Sequence, residues 1–114
     1  MLDTVAEMFK ALGEPTRLRL AAMLANTGER CVCHLAAALE EPDYKASRHL
    51  GVLRSAGLVR ARREGTWMHY SLNDDDNPQV GIIATLLRTI TEGNPQLMSD
   101  LGKLDQSCCG ADNR

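Results

Sequence analysis

Apolar residues recur at helical spacing through most of this chain, and the interruptions fall where glycine and proline stand. Val5, Met8, Phe9 and Leu12 follow i, i+3, i+4, i+7 and predict an amphipathic helix from Thr4 to Leu12, stopped by Gly13. Pro15 suits the first turn of a second helix, which runs through Leu18, Ala21, Ala22 and Leu24 to about Asn26, before Thr27-Gly28. Arg30-Cys31-Val32-Cys33 reads as a short extended piece, and Leu35-Ala36-Ala37-Ala38-Leu39 as a third helix starting near Cys33. Glu40-Glu41-Pro42-Asp43 is a turn. From Tyr44 onward, Ala46, Leu50, Leu53 and Gly57 form one buried stripe of a fourth helix, which Gly57 stops.

The period then changes. Leu58 to Arg63 alternates, Glu64-Gly65 gives a two-residue turn signal, and Thr66 to Leu72 is rich in strand formers, so a β-hairpin is expected. Asp74-Asp75-Asp76-Asn77-Pro78 reads as a loop and helix cap. Val80, Ile83, Ala84, Leu87 and Ile90, flanked by Ile82 and Leu86, make a helix apolar over a wide arc. After Asn94-Pro95, the residues Leu97, Met98, Leu101 and Leu104 predict a last short helix. The fold class is therefore mainly α with a β-hairpin wing: a winged helix-turn-helix with helical dimerisation elements at both ends. Residues 1–105 form one DNA-binding and dimerisation domain, and 106–114 a flexible cysteine-containing tail. A helix as greasy as 80–90 is too apolar for one side of a small monomer, which points to a homodimer.

Charge sharpens this picture. The formal net charge is −2, which does not announce a nucleic-acid binder. Its distribution does: from Lys45 to Arg63 the charged residues are Lys45, Arg48, Arg54, Arg60, Arg62 and Arg63, with no acid. On the fourth helix Tyr44, Ser47, Arg48 and Gly51 fall opposite the buried stripe, a face suited to the major groove of double-stranded DNA. The DNA-contacting set is Tyr44, Lys45, Ser47, Arg48 and His49 on the helix, with Arg62 and Arg63 at the hairpin tip over phosphates or in the minor groove. His49 lies at the edge of the buried stripe, where packing or hydrogen bonding also accounts for it.

The chain has four cysteines: Cys31, Cys33, Cys108 and Cys109. Met1-Leu2-Asp3-Thr4 lacks a basic segment and a long apolar run, and no stretch is long enough to span a membrane. A cytoplasmic protein with reduced thiols is expected. Thiolates suit soft ions such as As(III), Sb(III), Cd(II) and Pb(II). Cys31 and Cys33 are two apart, so an extended segment puts both on one side, whereas a regular helix sends them apart. No cluster of acid, base and nucleophile marks an enzyme.

Taken together, Pro15-Thr16-Arg17, Cys31-Val32-Cys33-His34-Leu35, Ser47-Arg48-His49-Leu50, Gly57-Leu58-Val59 and Trp67-Met68-His69-Tyr70 resemble the ArsR/SmtB family over about residues 5 to 92. The resemblance implies a small dimeric winged-helix repressor that leaves an inverted-repeat operator when a metal binds. Cys-Val-Cys followed by a polar residue and Leu is similar to the arsenic-responsive branch, which implies As(III) or Sb(III) as inducer. Some relatives in that branch carry a third cysteine where this chain has Ala36, so Cys108 or Cys109 is the source for a third thiolate. The zinc-sensing branch uses His and carboxylate ligands on the dimer helix, and 77–91 holds no His, Asp or Glu. Two alternatives remain open: the same repressor sensing Cd(II), Pb(II) or thiol oxidation, and a thiol-based arsenic carrier without DNA binding.

Overall fold

Residues 2–106 are described by the computed structural model; Met1 and the 107–114 segment, with Cys108 and Cys109, lie outside the described residues. Among the described residues six helices and three strands follow one another: α1 (Leu2–Leu12), α2 (Pro15–Thr27), β1 (Arg30–Cys31), α3 (Val32–Leu39), α4 (Asp43–Ser55), β2 (Val59–Glu64), β3 (Trp67–Leu72), α5 (Pro78–Glu92) and α6 (Pro95–Gln106). This is the expected winged helix-turn-helix arrangement, α3-turn-α4 followed by the β2–β3 hairpin.

Local chemistry sets the boundaries. Glu14 caps α2 by accepting from the Arg17 backbone N–H at 2.9 Å, and Pro15 needs no donor in the first turn. Between α3 and α4 the chain reverses at Glu40, which takes the left-handed conformation (φ 61°) while the Glu41 N–H returns to the Ala36 carbonyl at 3.0 Å. Gly57 (φ 83°) ends the α4 segment, in the backbone region that glycine adopts without a Cβ clash.

The core is built from the expected stripes. Ala46, Leu50 and Leu53 of α4 are fully buried, as are Leu20, Leu24, Leu35 and Leu58 from the neighbouring elements. Each such leucine contributes about 1.5–3 kcal/mol of apolar burial. Two expectations need correction, and a third is borne out and extended. The hairpin turns at Gly65-Thr66 rather than Glu64-Gly65, so Arg62 and Arg63 lie on β2 and Glu64 is the last strand residue before the tip. Phe9 is exposed, and α1 buries Met8 and Ala11 instead, because its contact with α2 and α4 uses one narrow side. The piece before α3 is a true strand: β1 joins the hairpin in a three-stranded antiparallel sheet of order β1-β3-β2.

α6 packs on α2 and α3. There Asp100, with no solvent exposure, accepts from Arg19 Nε and Nη2, both at 2.9 Å, and from Gln96 Nε2 at 3.0 Å. A fully buried carboxylate held this way is costly to leave half-paired. Asp100→Ala is expected to lower unfolding free energy by about 3 kcal/mol, read as a lower urea midpoint at unchanged slope; an unshifted midpoint would show that the pair contributes nothing.

Candidate functional site

Cys31 ends β1 and stands at the N-cap of α3 with extended backbone angles (φ −68°, ψ 145°), and Cys33 lies in the first turn of α3. The two residues thus straddle a strand-to-helix joint, and their side chains converge: the Sγ atoms are 3.0 Å apart. Both are buried, among the core residues around α3. A single ion placed between two sulfurs this close would be within bonding reach of both. Cys31 is a free thiol, whereas Cys33 is disulfide-bonded, contrary to the expectation of a reduced thiol there, so a second thiolate at this joint requires reduction. Among the described residues no group of three His, Cys, Asp or Glu side chains is placed to hold a metal ion. The third-ligand candidates Cys108 and Cys109 fall outside those residues.

The joint is wired to two elements. Through β1 it reaches the hairpin, because Cys31 pairs with His69 and Arg30 with Tyr70 on β3. Through α3 it reaches α4, against which α3 packs.

On α4, Tyr44, Lys45, Ser47 and Arg48 are all exposed on the side away from the core. The Arg48 guanidinium carbon lies 5.9 Å from the Tyr44 ring centroid, a cation–π contact that holds the arginine in place. Lys45 Nζ is 3.6 Å from Glu41. His49 is half-buried and turned toward the α2 cap, with Nδ1 4.0 Å from Glu14 Oε1.

The hairpin cations are paired more than their sequence run suggests. Arg60 Nη2 is 2.9 Å from Asp75, and Arg62 is gripped by Glu29 at 2.8 and 3.1 Å and by Glu64 at 3.3 Å. Arg63 is exposed and makes no ion pair among the described residues. Glu29 was not singled out from sequence, and Asp75 was read only as part of a loop and helix cap, not as the partner of Arg60. Glu29 stands 33 residues from its partner, and only the β1–β3–β2 register brings the two together. Hydrogen bonding to Arg62 holds the Glu29 carboxyl below the usual glutamate range, and Arg62 is raised in return. Arg60, Arg62 and Arg88 also line a cleft of about 700 Å³ with Glu29, Asp74 and Asp75, an alternation of sign that neutralises its walls.

Comparison with known proteins supplies a frame for this geometry. Residues 14–61 match the family model described as bacterial regulatory protein, arsR family. The chain is 38% identical over 98 residues to the arsenic resistance transcriptional regulator ArsR2 of Pseudomonas putida, covering 85% of this chain and 82% of that one. It is 41% identical over 76 residues to a cadmium resistance transcriptional regulatory protein CadC homolog of Staphylococcus aureus, covering 67% of this chain and 63% of that one. Among solved structures it is similar to the homodimeric winged helix-turn-helix DNA-binding domain of a possible ArsR-family regulator from Mycobacterium bovis. That likeness has TM-score 0.67 and 37% identity, over 80% of this chain and 81% of that one.

The Glu29 pair carries a pH signature. Because the carboxyl is lowered by folding, its contribution to stability is complete above the ordinary glutamate range and is lost as pH falls through the lowered value. In a carboxyl-detected NMR titration Glu29 is expected to titrate below free glutamate, and to move back up in Arg62→Gln. Identical midpoints in the two proteins would refute the pairing.

Proposed function

Because this chain belongs to the arsR family of bacterial regulatory proteins, we propose that it is a homodimeric repressor released from operator DNA by a thiophilic metalloid. Two copies bind an inverted repeat, each laying α4 in a major groove and its hairpin along the adjacent backbone. Tyr44, Ser47 and Arg48 face base edges, Lys45 and His49 flank them, and Arg62 and Arg63 meet phosphates. The inducer is As(III) or Sb(III), bound by the thiolates of Cys31 and Cys33 in the reduced protein, with Cys108 or Cys109 as the third ligand.

The observation that carries this reading is the position of the converging sulfurs at the joint between β1 and α3. An ion bonded to both ties the end of β1 to the first turn of α3. Strain at that joint bears on the hairpin through the β1–β3 pairing and on α4 through α3. A dimer must dock in successive grooves at once, so a small rotation of each half spoils the fit. Cys31 and Cys33 both lie in the core around α3, so an ion bound there acts on packed structure rather than on a loose surface. A second reading, the same repressor released by Cd(II) or Pb(II), is favoured by the likeness to the cadmium regulator and uses the same thiolates.

Dimerisation is supported by the faces of the terminal helices. Ile82, Leu86 and Ile90 form an exposed i, i+4, i+8 row on α5, and Leu2 and Phe9 are exposed on α1. A second copy that covers the α5 row removes it from water.

Two experiments test the reading. In a DNA-binding titration of fully reduced protein, arsenite is expected to weaken the operator complex at least about tenfold, or about 1.4 kcal/mol. Cys31→Ser/Cys33→Ser should keep its complex, and Cd(II) in a parallel titration separates the two inducers. Equal release of the double variant would end the thiol account. Separately, Ile82→Glu/Leu86→Glu is expected to sediment as a monomer and to lose DNA affinity with it; an intact dimer would move the interface elsewhere.

A further inference from the structure

Arg62 is the hairpin cation with the fullest set of partners. Its Nε donates to Glu29 Oε2 at 3.1 Å, its Nη2 to Glu29 Oε1 at 2.8 Å and its Nη1 to Glu64 Oε1 at 3.3 Å. The Nε–Nη2 edge is one of the two-pronged faces that a guanidinium offers to a carboxylate or a phosphate. Glu29 therefore occupies hydrogen-bonding positions that a DNA backbone oxygen would use. Arg62 and Glu29 both remain substantially exposed, so the pair is open to exchange with solvent ions rather than locked in the core.

The fold explains why this carboxylate is here. Cys31, His69 and Arg62 form one cross-strand row, Cys31 opposite His69 and His69 opposite Arg62. Side chains of such a row share a face of the sheet. Glu29 lies two residues before Cys31, where the chain leaves Gly28 (φ 88°) and enters β1. It is delivered to that row by the strand that also carries the sensor sulfur.

We propose that Glu29 is a built-in competitor for DNA at the wing: its carboxylate holds Arg62, and the wing docks by exchanging Glu29 for a phosphate oxygen. This rests on the DNA-binding reading above, but on no particular inducer. The ion pair sets a ceiling on how tightly the wing grips, since every docking event must displace a partner tethered to the same sheet. Glu29 is a positioning residue in this role, acting on DNA only through Arg62.

The test is a double-variant cycle on the full-length reduced protein without inducer. The probe is a mixed-sequence duplex long enough to span successive major grooves, titrated across a range of salt. Glu29→Gln is expected to bind about threefold to tenfold more tightly, with the slope of log affinity against log salt steeper by about one released counterion. Both effects should vanish in the Arg62→Gln background. Unchanged or weaker binding by Glu29→Gln would overturn the proposal. So would a gain that persists undiminished without Arg62, since that is the general effect of removing a negative charge. Failure of the unaltered protein to bind the duplex at low salt would instead strike the DNA reading beneath it, and the two failures are distinguishable.

Discussion

Two paired residues hold the functional parts of this molecule in one frame. β1 is only Arg30–Cys31, yet its pairing with Tyr70 and His69 fixes the start of α3 against the hairpin. Without it, α3 and α4 would still pack as a helix pair, and the hairpin would still close on itself, but their relative orientation would rest on side-chain contacts alone. A strand this short adds little energy. Its weight is geometric, because it places the Cys31 backbone in the extended region just where the helix begins. That is what makes two sulfurs at i and i+2 converge although one belongs to a strand and the other to a helix. The choice between an extended and a helical segment does not arise: the pair sits on the seam.

Charge shows a second constraint, set by space rather than sequence. The run from Lys45 to Arg63 contains six basic residues and no acid. In the fold, acids from outside the run come back to meet it: Glu41 approaches Lys45, Asp75 meets Arg60, and Glu29 and Glu64 meet Arg62. The surface that a linear reading makes uniformly basic is a patchwork in which Arg48, Arg54 and Arg63 are the cations of the run without a carboxylate partner among the described residues. Arg48 is steadied instead by the Tyr44 ring. An affinity estimated by counting positive charges along the sequence would therefore overstate the attraction for phosphate.

Much of this architecture was legible in the sequence, and the reasons are physical. The stripe of Ala46, Leu50 and Leu53 announced α4 because burial of one helix face demands that spacing, and all three are fully buried. Gly57 announced the stop, and its left-handed φ shows why. The hairpin was visible from its alternation, but its turn was misplaced by one residue, since Glu64 and Thr66 are both acceptable at a turn and only cross-strand pairing decides. Phe9 was misread because helical spacing alone does not say how wide the covered face is. The Arg19–Asp100 and Arg62–Glu29 pairs were invisible, spanning 81 and 33 residues with no local pattern to betray them. Proximity of the Cys31 and Cys33 sulfurs was foreseeable only on the condition of an extended backbone, which the β1 pairing supplies.

The strand order has a consequence for how the chain behaves in a crowd. With β3 in the middle, the six-residue β2 is left as an open edge, a row of unpaired backbone groups on which another chain could add a strand. Arg60, Arg62 and Arg63 stand on that strand, and charged side chains, paired or not, resist the strand addition from which sheet aggregates grow. On the docking proposed above, Arg62 and Arg63 would serve the duplex and guard this edge at once. A neutral replacement of these arginines strips the guard from an exposed margin.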